Sequence, residues 1–166
     1  MGVKSGYRLA TIKDTKQLQS LCLVSYGQFK TVISDENWKK WKTNFENEDT
    51  FLNLLQIANC FICEKENEII GMAFLIPHGN PFLFFEPDWC YIRLVAVNPK
   101  YEGKGIAKKL TQQCIQYAKE TGEKTIALHT SEFQNAARHI YENLGFEKQK
   151  EFDLYDKRYW MYTLQL

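Results

Sequence analysis

The chain has 166 residues, 21 Lys and Arg against 20 Asp and Glu, and a formal net charge of +1, which fits one ordinary domain. Apolar residues make up 45% and charged residues 25% of the sequence, a composition that excludes a disordered tail. Nucleic-acid and anionic-membrane partners require clustered Lys and Arg, so the near-neutral charge argues against both. The aromatic share of 14% is high and favours a stiff core, a ligand groove, or both.

No segment contains the roughly 18 apolar residues of a transmembrane helix, and residues 1–6 lack the apolar core of a secretory signal. We therefore expect a cytoplasmic protein, and its cysteines fit that compartment. Cys60 and Cys63 have the spacing of a metal or redox pair, but they lie in a β-like run that places them on opposite faces. The histidines are not arranged as a ligand set either, so we expect buried, reduced thiols and no metal.

The first part of the chain is predicted to form one strand followed by three helices. Residues 7–11 alternate as a strand, and Asp14 can cap a helix that runs to about residue 25. Ser34 or Asp35 begins a second helix, and Asp49 is expected to cap a third. The apolar positions of the third helix include Leu52, Leu55 and Ile57.

The middle of the chain is predicted to be a meander of strands. Two β-rich runs, residues 60–64 and 69–76, flank a polar turn and predict a hairpin. A loop with three prolines, residues 77–87, leads to a third long β run at residues 89–97. Successive antiparallel pairing of these runs is the simplest interpretation.

The second half alternates between strand and helix. A glycine turn at residues 100–105 leads into a helix at residues 106–121, followed by a strand at residues 125–129. A short helix at residues 135–144 and a hairpin at residues 146–164 complete the chain. This alternation implies a crossover with parallel pairing, so the sequence predicts an α/β domain with a mixed sheet.

The glycine turn has the composition of an anion site. Gly103 and Gly105 allow the backbone to approach a bulky anion, free N–H groups face it where the helix begins, and Lys104 and Lys108 add positive charge. A P-loop is excluded because Gly105 follows the lysine where Ser or Thr is required. A dinucleotide fingerprint is excluded because Lys108 replaces its third glycine. A plain helix-start turn remains the alternative.

Two segments together resemble the GNAT family, the GCN5-related N-acetyltransferases. Residues 95–107 are similar to the family's strand end and acetyl-coenzyme A turn, although Lys100 replaces the usual Gln or Arg and Glu102 stands where a second Arg is common. Residues 135–146 are similar to the family pattern Asn-x-x-Ala-x-x-x-Tyr-x-x-x-Gly-Phe, with Ala137 displaced by one. The two blocks lie about as far apart as they do in the family.

The resemblance implies a single α+β domain over residues 1–166. It has a mixed, mostly antiparallel sheet, helices on both faces and a parallel splay at the cofactor site. Residues 1–88 would form mainly the acceptor side, and residues 89–147 the acetyl-CoA-binding core. Backbone groups would hold the pantetheine arm and the pyrophosphate of the acetyl-CoA co-substrate. The residues implied in cofactor binding are Val95, Ala96, Val97, Lys100, Glu102, Gly103, Lys104, Gly105, Ile106, Ala107 and Asn135.

The resemblance also implies catalytic residues. Tyr141 matches the family tyrosine and would protonate the departing thiolate as a general acid, although a core ring is the alternative interpretation. Many family members carry Glu at the position of Arg93, which strand alternation places on the same face as Val95 and Val97. Glu86 and Asp88 are substitute bases, and a water chain is another possibility. The alternative interpretation of the two carboxylates is solvated loop charges.

Acceptor-side residues follow from the same comparison. We expect Arg93 to face the acceptor and to favour a carboxylate, with a salt-bridged or exposed strand arginine as the alternative. Aromatic residues would wall the acceptor cleft. They are Tyr26, Phe29, Trp38, Trp41, Phe82, Phe84, Phe85 and Trp89, among which Phe29 and Phe85 are our candidates for substrate contact.

The implied function is acetyl-CoA-dependent N-acetylation of a primary amine of a small molecule or peptide. A second hypothesis is a non-catalytic CoA-binding sensor or scaffold, which Arg93 in the catalytic strand suggests. A ribosomal or histone-tail acetyltransferase predicts an acidic acceptor groove, which the even mixture of Lys and Glu in the front helices does not indicate. Dimers are common in the family, so a homodimer is compatible with the sequence.

Overall fold

A computed structural model describes residues 5–166. Its strands are β1 (Ser5–Leu9), β2 (Asn59–Lys65), β3 (Glu68–Ile76), β4 (Cys90–Val97), β5 (Thr125–Ser131), β6 (Glu147–Leu154) and β7 (Lys157–Gln165). Its helices are α1 (Thr15–Gly27), α2 (Asp35–Glu46), α3 (Glu48–Ile57), α4 (Ile106–Glu120) and α5 (Asn135–Asn143). The element order agrees with the sequence prediction from the first strand to the last hairpin.

The strands form one seven-stranded sheet in the order β1-β2-β3-β4-β5-β7-β6. The β1–β4 meander and the β5-β7-β6 group are antiparallel, and β4 pairs with β5 in parallel. That parallel pairing covers only Cys90 with Ile126 and Tyr91 with Ala127. Beyond these pairs the two strands are not paired, and we call the opening between them the splay. The mixed, mostly antiparallel sheet is confirmed.

Helices cover both faces of the sheet. On the front face, Leu18 of α1, Trp41 of α2 and Phe51 of α3 pack with sheet residues such as Phe74 in one buried cluster. On the rear face, residues of α4 and α5 pack in a second cluster with the opposite sides of the same strands. Burial of both apolar faces is what holds the layers together.

A glycine sets how closely α4 approaches the sheet. A Cβ atom on Gly71 of β3 would lie 2.6 Å from Ile106 Cγ2 and 3.1 Å from Leu110 Cδ1, both in the first half of α4. A side chain at this position would therefore force the start of α4 away from β3. The glycine lets the two backbones approach, and it thereby fixes where α4 begins.

The two hairpins and the cysteines are as predicted. Glu66 and Asn67 join β2 to β3 with φ of 52° and 67°, and Tyr155 and Asp156 join β6 to β7 with φ of 52° and 60°. Positive φ at both central residues is the conformation that twists two strands into a tight hairpin. Cys60 packs on the front face and Cys63 on the rear, and all five cysteines are free and buried.

The third helix differs from the prediction in its cap and its buried face. Asn47, not Asp49, caps α3, and its side chain accepts a bond of 3.0 Å from the Asp49 N–H. Phe51 and Leu54 are the buried residues, whereas Ile57 is 46% exposed. Apolar residues occupy five of the seven positions from 51 to 57, so the periodicity does not distinguish which side of the helix faces the core.

The first strand and helix also differ at their junction. The strand ends at Leu9, and a 3-10 turn, Ile12–Asp14, precedes α1. The Asp14 carboxylate does not cap α1 but accepts the Thr11 N–H at 2.7 Å and pairs with Arg8 at 2.9 Å. Arg8 on β1 thus binds the Asp14 carboxylate, which the local sequence predicts to be the cap of α1.

Candidate active site

A β-bulge in β4 decides which side chains face each side of the splay. Leu94 has a φ of 53°, and Leu94 with Val95 stands opposite Ala73 alone, because Met72 pairs with Ala96 and Phe74 with Arg93. The extra residue shifts the alternation of side chains by one. The bulge therefore separates the two halves of the strand.

The predicted common face of Arg93, Val95 and Val97 is therefore wrong. Val95 and Val97 pack with the rear cluster, whereas Arg93 projects among the tyrosines and phenylalanines of the front face. From Ile92 to Val97 the edge of β4 that faces β5 has no strand partner. This edge offers backbone groups to a ligand in the splay.

The glycine turn presents a row of backbone N–H groups. Gly103 and Gly105 have φ of 75° and 78°, and a Cβ on either would meet no atom within 4 Å. Within the described chain, the N–H groups from residue 103 to 108 have no acceptor, and the bond from Lys109 N to Gly105 O at 3.0 Å is the first in α4. These groups and the positive end of the helix dipole form a site that fits a pyrophosphate.

Side chains around this turn add charge and fix its position. The ammonium groups of Lys65 and Lys104 lie 5.4 and 5.8 Å from the centroid of the Tyr101 ring. Glu102, a predicted cofactor residue, accepts a bond of 3.1 Å from Gln28 just beyond α1. The Glu102 side chain therefore ties the turn to α1. Lys100 and Lys108 are exposed beside the turn, and Ala96, Ile106 and Ala107 keep the places that the sequence predicts.

Two tyrosines pack on opposite faces of the sheet, Tyr26 in the front cluster and Tyr141 in the rear cluster. Tyr141 of α5 is 6% exposed, its ring lies 5.9 Å from that of Phe146, and burial raises its pKa. The Tyr26 hydroxyl of α1 donates to the Val95 carbonyl at 3.3 Å. Burial raises the pKa of Tyr26 well above its ordinary value. Both groups therefore keep their protons at neutral pH.

Arg93 is the cation of the front face. Its guanidinium carbon lies 4.1 Å from the centroid of the Phe82 ring. Burial lowers the pKa of Arg93, and the groups that counteract this are Tyr91, Tyr26 and Tyr155. No carboxylate takes part.

The predicted contact residues Phe29 and Phe85 both belong to the aromatic cluster of the front face. Phe85 is 5% exposed and lies 5.4 Å from Tyr91, and half-buried Phe29 lies 5.1 Å from Phe133. His129 of β5 lies 5.8 Å from Phe82, ring to ring. Burial, with a smaller effect of the Arg93 charge, lowers the pKa of His129 to about 4.

The remaining predicted residues are two carboxylates in the loop before β4 and Asn135 at the start of α5. Glu86 and Asp88 are exposed in the loop before β4. Asp88 lies near His78, whose ring nitrogen is 2.7 Å from Glu123, at the end of β4 that is opposite the glycine turn. Asn135 begins α5, where its amide oxygen accepts a bond from Arg138.

Three features of the site were not anticipated from sequence. The sequence does not predict the bulge at Leu94, because leucine only uncommonly adopts a positive φ. The sequence groups Tyr26 with the other aromatic residues of the predicted cleft. Its hydrogen bond to the Val95 carbonyl is seen only in the structure. His129 was considered only as a metal ligand or nucleophile. Its place in the front cluster follows from the alternation of β5, on which Ala127 also faces the front.

Among residues 5–166, no group of three or more His, Cys, Asp and Glu side chains is arranged to bind a metal ion. None of the helices described is both long and apolar enough to cross a bilayer.

Sequence comparisons were made with protein families and with curated proteins. Residues 28–146 match the family described as acetyltransferase (GNAT) family. The chain is 30% identical over 96 residues to human N-acetyltransferase 8B, covering 57% of this chain and 41% of that protein. It is 34% identical over 87 residues to the uncharacterized N-acetyltransferase YjgM of Escherichia coli, covering 52% and 50%. The matches thus span half or less of these relatives' own length.

The fold is similar to solved acetyltransferase structures along almost the whole chain. The PaiA N-acetyltransferase of Thermoplasma acidophilum in complex with coenzyme A has a TM-score of 0.80 at 15% identity, covering 98% of this chain and 99% of that one. YncA of Salmonella typhimurium, a putative acetyltransferase with acetyl-CoA, has a TM-score of 0.74 at 16% identity, covering 97% and 93%. The family match over most of the chain, together with the glycine turn and the splayed β4, shows that this protein belongs to the GNAT family of acetyltransferases.

Proposed function

We propose that the protein is an acetyl-CoA-dependent N-acetyltransferase that acetylates a primary amine of a small molecule or peptide. The observation that carries this proposal is the row of N–H groups without acceptors from residue 103 to 108, beside the unpaired edge of β4. Two structural neighbours are described with coenzyme A or acetyl-CoA, which supports the same ligand here.

The residues present fit this co-substrate. The turn around Gly103 and Gly105 would hold the pyrophosphate, because a Cβ there would occupy the open space that the ligand needs. Lys104 would add charge, and Val95 to Val97 would align the pantetheine arm along the edge of β4. When bound, acetyl-CoA supplies an acetyl group activated as a thioester.

The chain's own groups then have defined tasks. A backbone N–H at the Leu94–Val95 bulge would stabilise the negative charge on the carbonyl oxygen. The acceptor nitrogen forms its bond to the carbonyl carbon, the carbon–sulfur bond breaks, and the nitrogen releases its proton to water. Burial raises the pKa of Tyr141, so its hydroxyl is protonated at neutral pH. Tyr141 would donate this hydroxyl proton to the departing sulfur. Glu86 and Asp88 are exposed in the loop before β4, and the proposal assigns the acceptor proton to water rather than to them.

The compartment and assembly are also inferences. Five free, buried thiols are compatible with a reducing compartment such as the cytoplasm. A homodimer stays a prediction from the family resemblance. For the hypothesis of a non-catalytic module, Arg93 is weaker support than its sequence position suggested, because the bulge turns it toward the acceptor side.

A pair of matched glycines tests the cofactor site. Gly105 begins α4 with a φ of 78° and Gly122 follows its end with a φ of 83°, and a Cβ on either meets nothing within 4 Å. Alanine at either position costs about 1–2 kcal/mol of backbone strain. We expect Gly105→Ala to weaken coenzyme A binding at least tenfold in titration calorimetry, and Gly122→Ala to leave it unchanged.

Turnover is tested separately. Thiol release from acetyl-CoA is measured with amines, amino acids, polyamines, antibiotics and peptides. Release that depends on an acceptor supports the enzyme, and coenzyme A binding without release on any acceptor supports the non-catalytic module.

For the glycine pair, equal loss of coenzyme A binding in Gly105→Ala and Gly122→Ala would contradict the assigned cofactor site.

A further inference from the structure

We propose that the acceptor is a small amino acid with an apolar side chain, whose free carboxylate binds to Arg93 while its amine reaches the splay. The inference rests on the proposed function, because it names the acceptor class of the same site.

The first observation is that Arg93 has no partner. Within residues 5–166 the half-buried Arg93 makes no hydrogen bond and no ion pair, although its guanidinium stacks on the Phe82 ring. The more exposed Arg8 binds both Asp14 and Glu64, at 2.9 and 3.0 Å. Exposed Arg158 pairs with Glu151. Arg8 and Arg158 thus have carboxylate partners, whereas Arg93, like Arg138, has none among the described residues.

The physical consequence is an uncompensated charge. The half-buried guanidinium of Arg93 has lost part of its hydration and has no counter-ion, so binding of an anion there would be favourable. Phe82 covers one face of the guanidinium, and stacking leaves the N–H edge available. That planar fork matches the two oxygens of a carboxylate. A ligand carboxylate therefore completes the site in a way that no described residue does.

The second observation is the place of Arg93 in the sheet. The last parallel pair before the splay is Tyr91 with Ala127, and both side chains face the front. Two residues farther along each strand are Arg93 and His129, which therefore flank the mouth of the splay on the same face. A carboxylate held there lies beside the bulge, so its amine must be only a few bonds away. This favours an amino acid over a long amine or polyamine.

The surroundings define the rest of the acceptor. Half-buried rings of Phe29, Phe82, Phe133, Phe152 and Tyr155 form the front wall, which favours an apolar side chain. The Nδ1 atom of His129 is buried without a hydrogen-bond partner in the described chain. A neutral imidazole here adds no competing charge, and its ring can position the ligand.

The test compares acids with their amides. Binding of L-phenylalanine, L-leucine and L-tryptophan, and of the three corresponding amides, is measured by calorimetry with coenzyme A present. We expect at least one acid to bind ten or more times tighter than its amide. Equal affinity of acid and amide in all three pairs, including the absence of binding, would overturn the inference, as would tighter binding of phosphoethanolamine than of every acid.

Variants assign the preference to Arg93. Arg93→Met keeps an unbranched side chain of similar length and removes the charge, so the acid preference should fall to less than twofold. Arg93→Lys keeps the charge without the planar fork and should retain only part of the preference. Arg158→Met is the matched control and should behave as the wild type. Circular dichroism and coenzyme A affinity verify the fold of each variant, and an acid preference that survives in Arg93→Met excludes this role.

The outcomes separate the inference from the proposed function. An acid preference that depends on Arg93, without acetyl transfer to any acceptor, would support the carboxylate site and refute the enzyme. Acetyl transfer to amines at equal rates with and without a carboxylate would refute the carboxylate site and support the enzyme.

Discussion

Under the proposed function, the two sides of the splay would recognise their ligands by different means. On the cofactor side, the turn at residues 103–108 offers backbone N–H groups, and a glycine of β3 brings α4 close to them. On the acceptor side, Arg93 of β4 and aromatic rings from several other parts of the chain offer their side chains. Backbone recognition constrains conformation, whereas side-chain recognition constrains residue identity.

This difference explains how the two sides can change. The cofactor side requires positive φ at particular positions and tolerates many neighbours, so one co-substrate can be kept while surrounding residues vary. The acceptor side can alter its ligand by single substitutions, because each ring or charge contributes separately. The following predictions test that division, beginning with the largest expected effect.

On the cofactor side, Tyr141 is the side chain to which we assign a catalytic role, that of the general acid. It therefore tests most directly whether this side depends on backbone groups. Tyr141→Phe keeps the buried ring and removes the proton donor, and we expect the turnover rate to fall about 100-fold. The coenzyme A affinity should remain within a factor of two. Tyr162→Phe is the control, because Tyr162 is fully buried in the same cluster and its hydroxyl bonds to Glu142 at 2.8 Å. Undiminished turnover in Tyr141→Phe would exclude the Tyr141 hydroxyl as the general acid.

Gly71 tests whether a purely steric change acts on the cofactor. Alanine there would clash with Ile106 and Leu110, which we expect to cost about 2 kcal/mol of unfolding free energy. Because the start of α4 moves, coenzyme A should also bind less tightly, by about tenfold. Gly6→Ala is the control, since Gly6 lies in β1 with nothing within 4 Å of a Cβ. Urea unfolding and calorimetry measure the two effects, and unchanged affinity in Gly71→Ala would contradict the link.

His129 tests the acceptor side through pH. Its pKa is lowered to about 4 in the folded state, below the ordinary value near 6.5, chiefly because it is buried. As pH falls below about 6.5, the unfolded state gains a proton that the folded state does not, so stability decreases toward pH 4. We expect His129→Phe to remove about 1–2 kcal/mol of the loss between pH 7 and pH 4.5. Urea unfolding at the two pH values measures it, and identical losses in both proteins would exclude this contribution.

Sequence analysis anticipated the conformation of the glycine turn better than the direction of the side chains on β4. The reason is again the difference between backbone and side-chain constraints. Gly103 and Gly105 are recognisable because few other residues adopt their backbone conformation without strain. The bulge at Leu94 carries no such mark, because it depends on how β4 pairs with β3. One extra residue placed Arg93 on the other face from Val95. Likewise, the Asp14 carboxylate was assigned to a helix cap because its partner, Arg8, lies on another element.

The end of α1 has a consequence for the order of events. Tyr26 donates to the Val95 carbonyl, and Gln28, two positions later, donates to Glu102 of the cofactor turn. The helix that supplies an acceptor wall is thus bonded to both parts of the cofactor side. Ligands on the two sides share this element, and binding equilibria are reciprocal. Whatever factor an acceptor imposes on coenzyme A affinity, coenzyme A imposes on the acceptor.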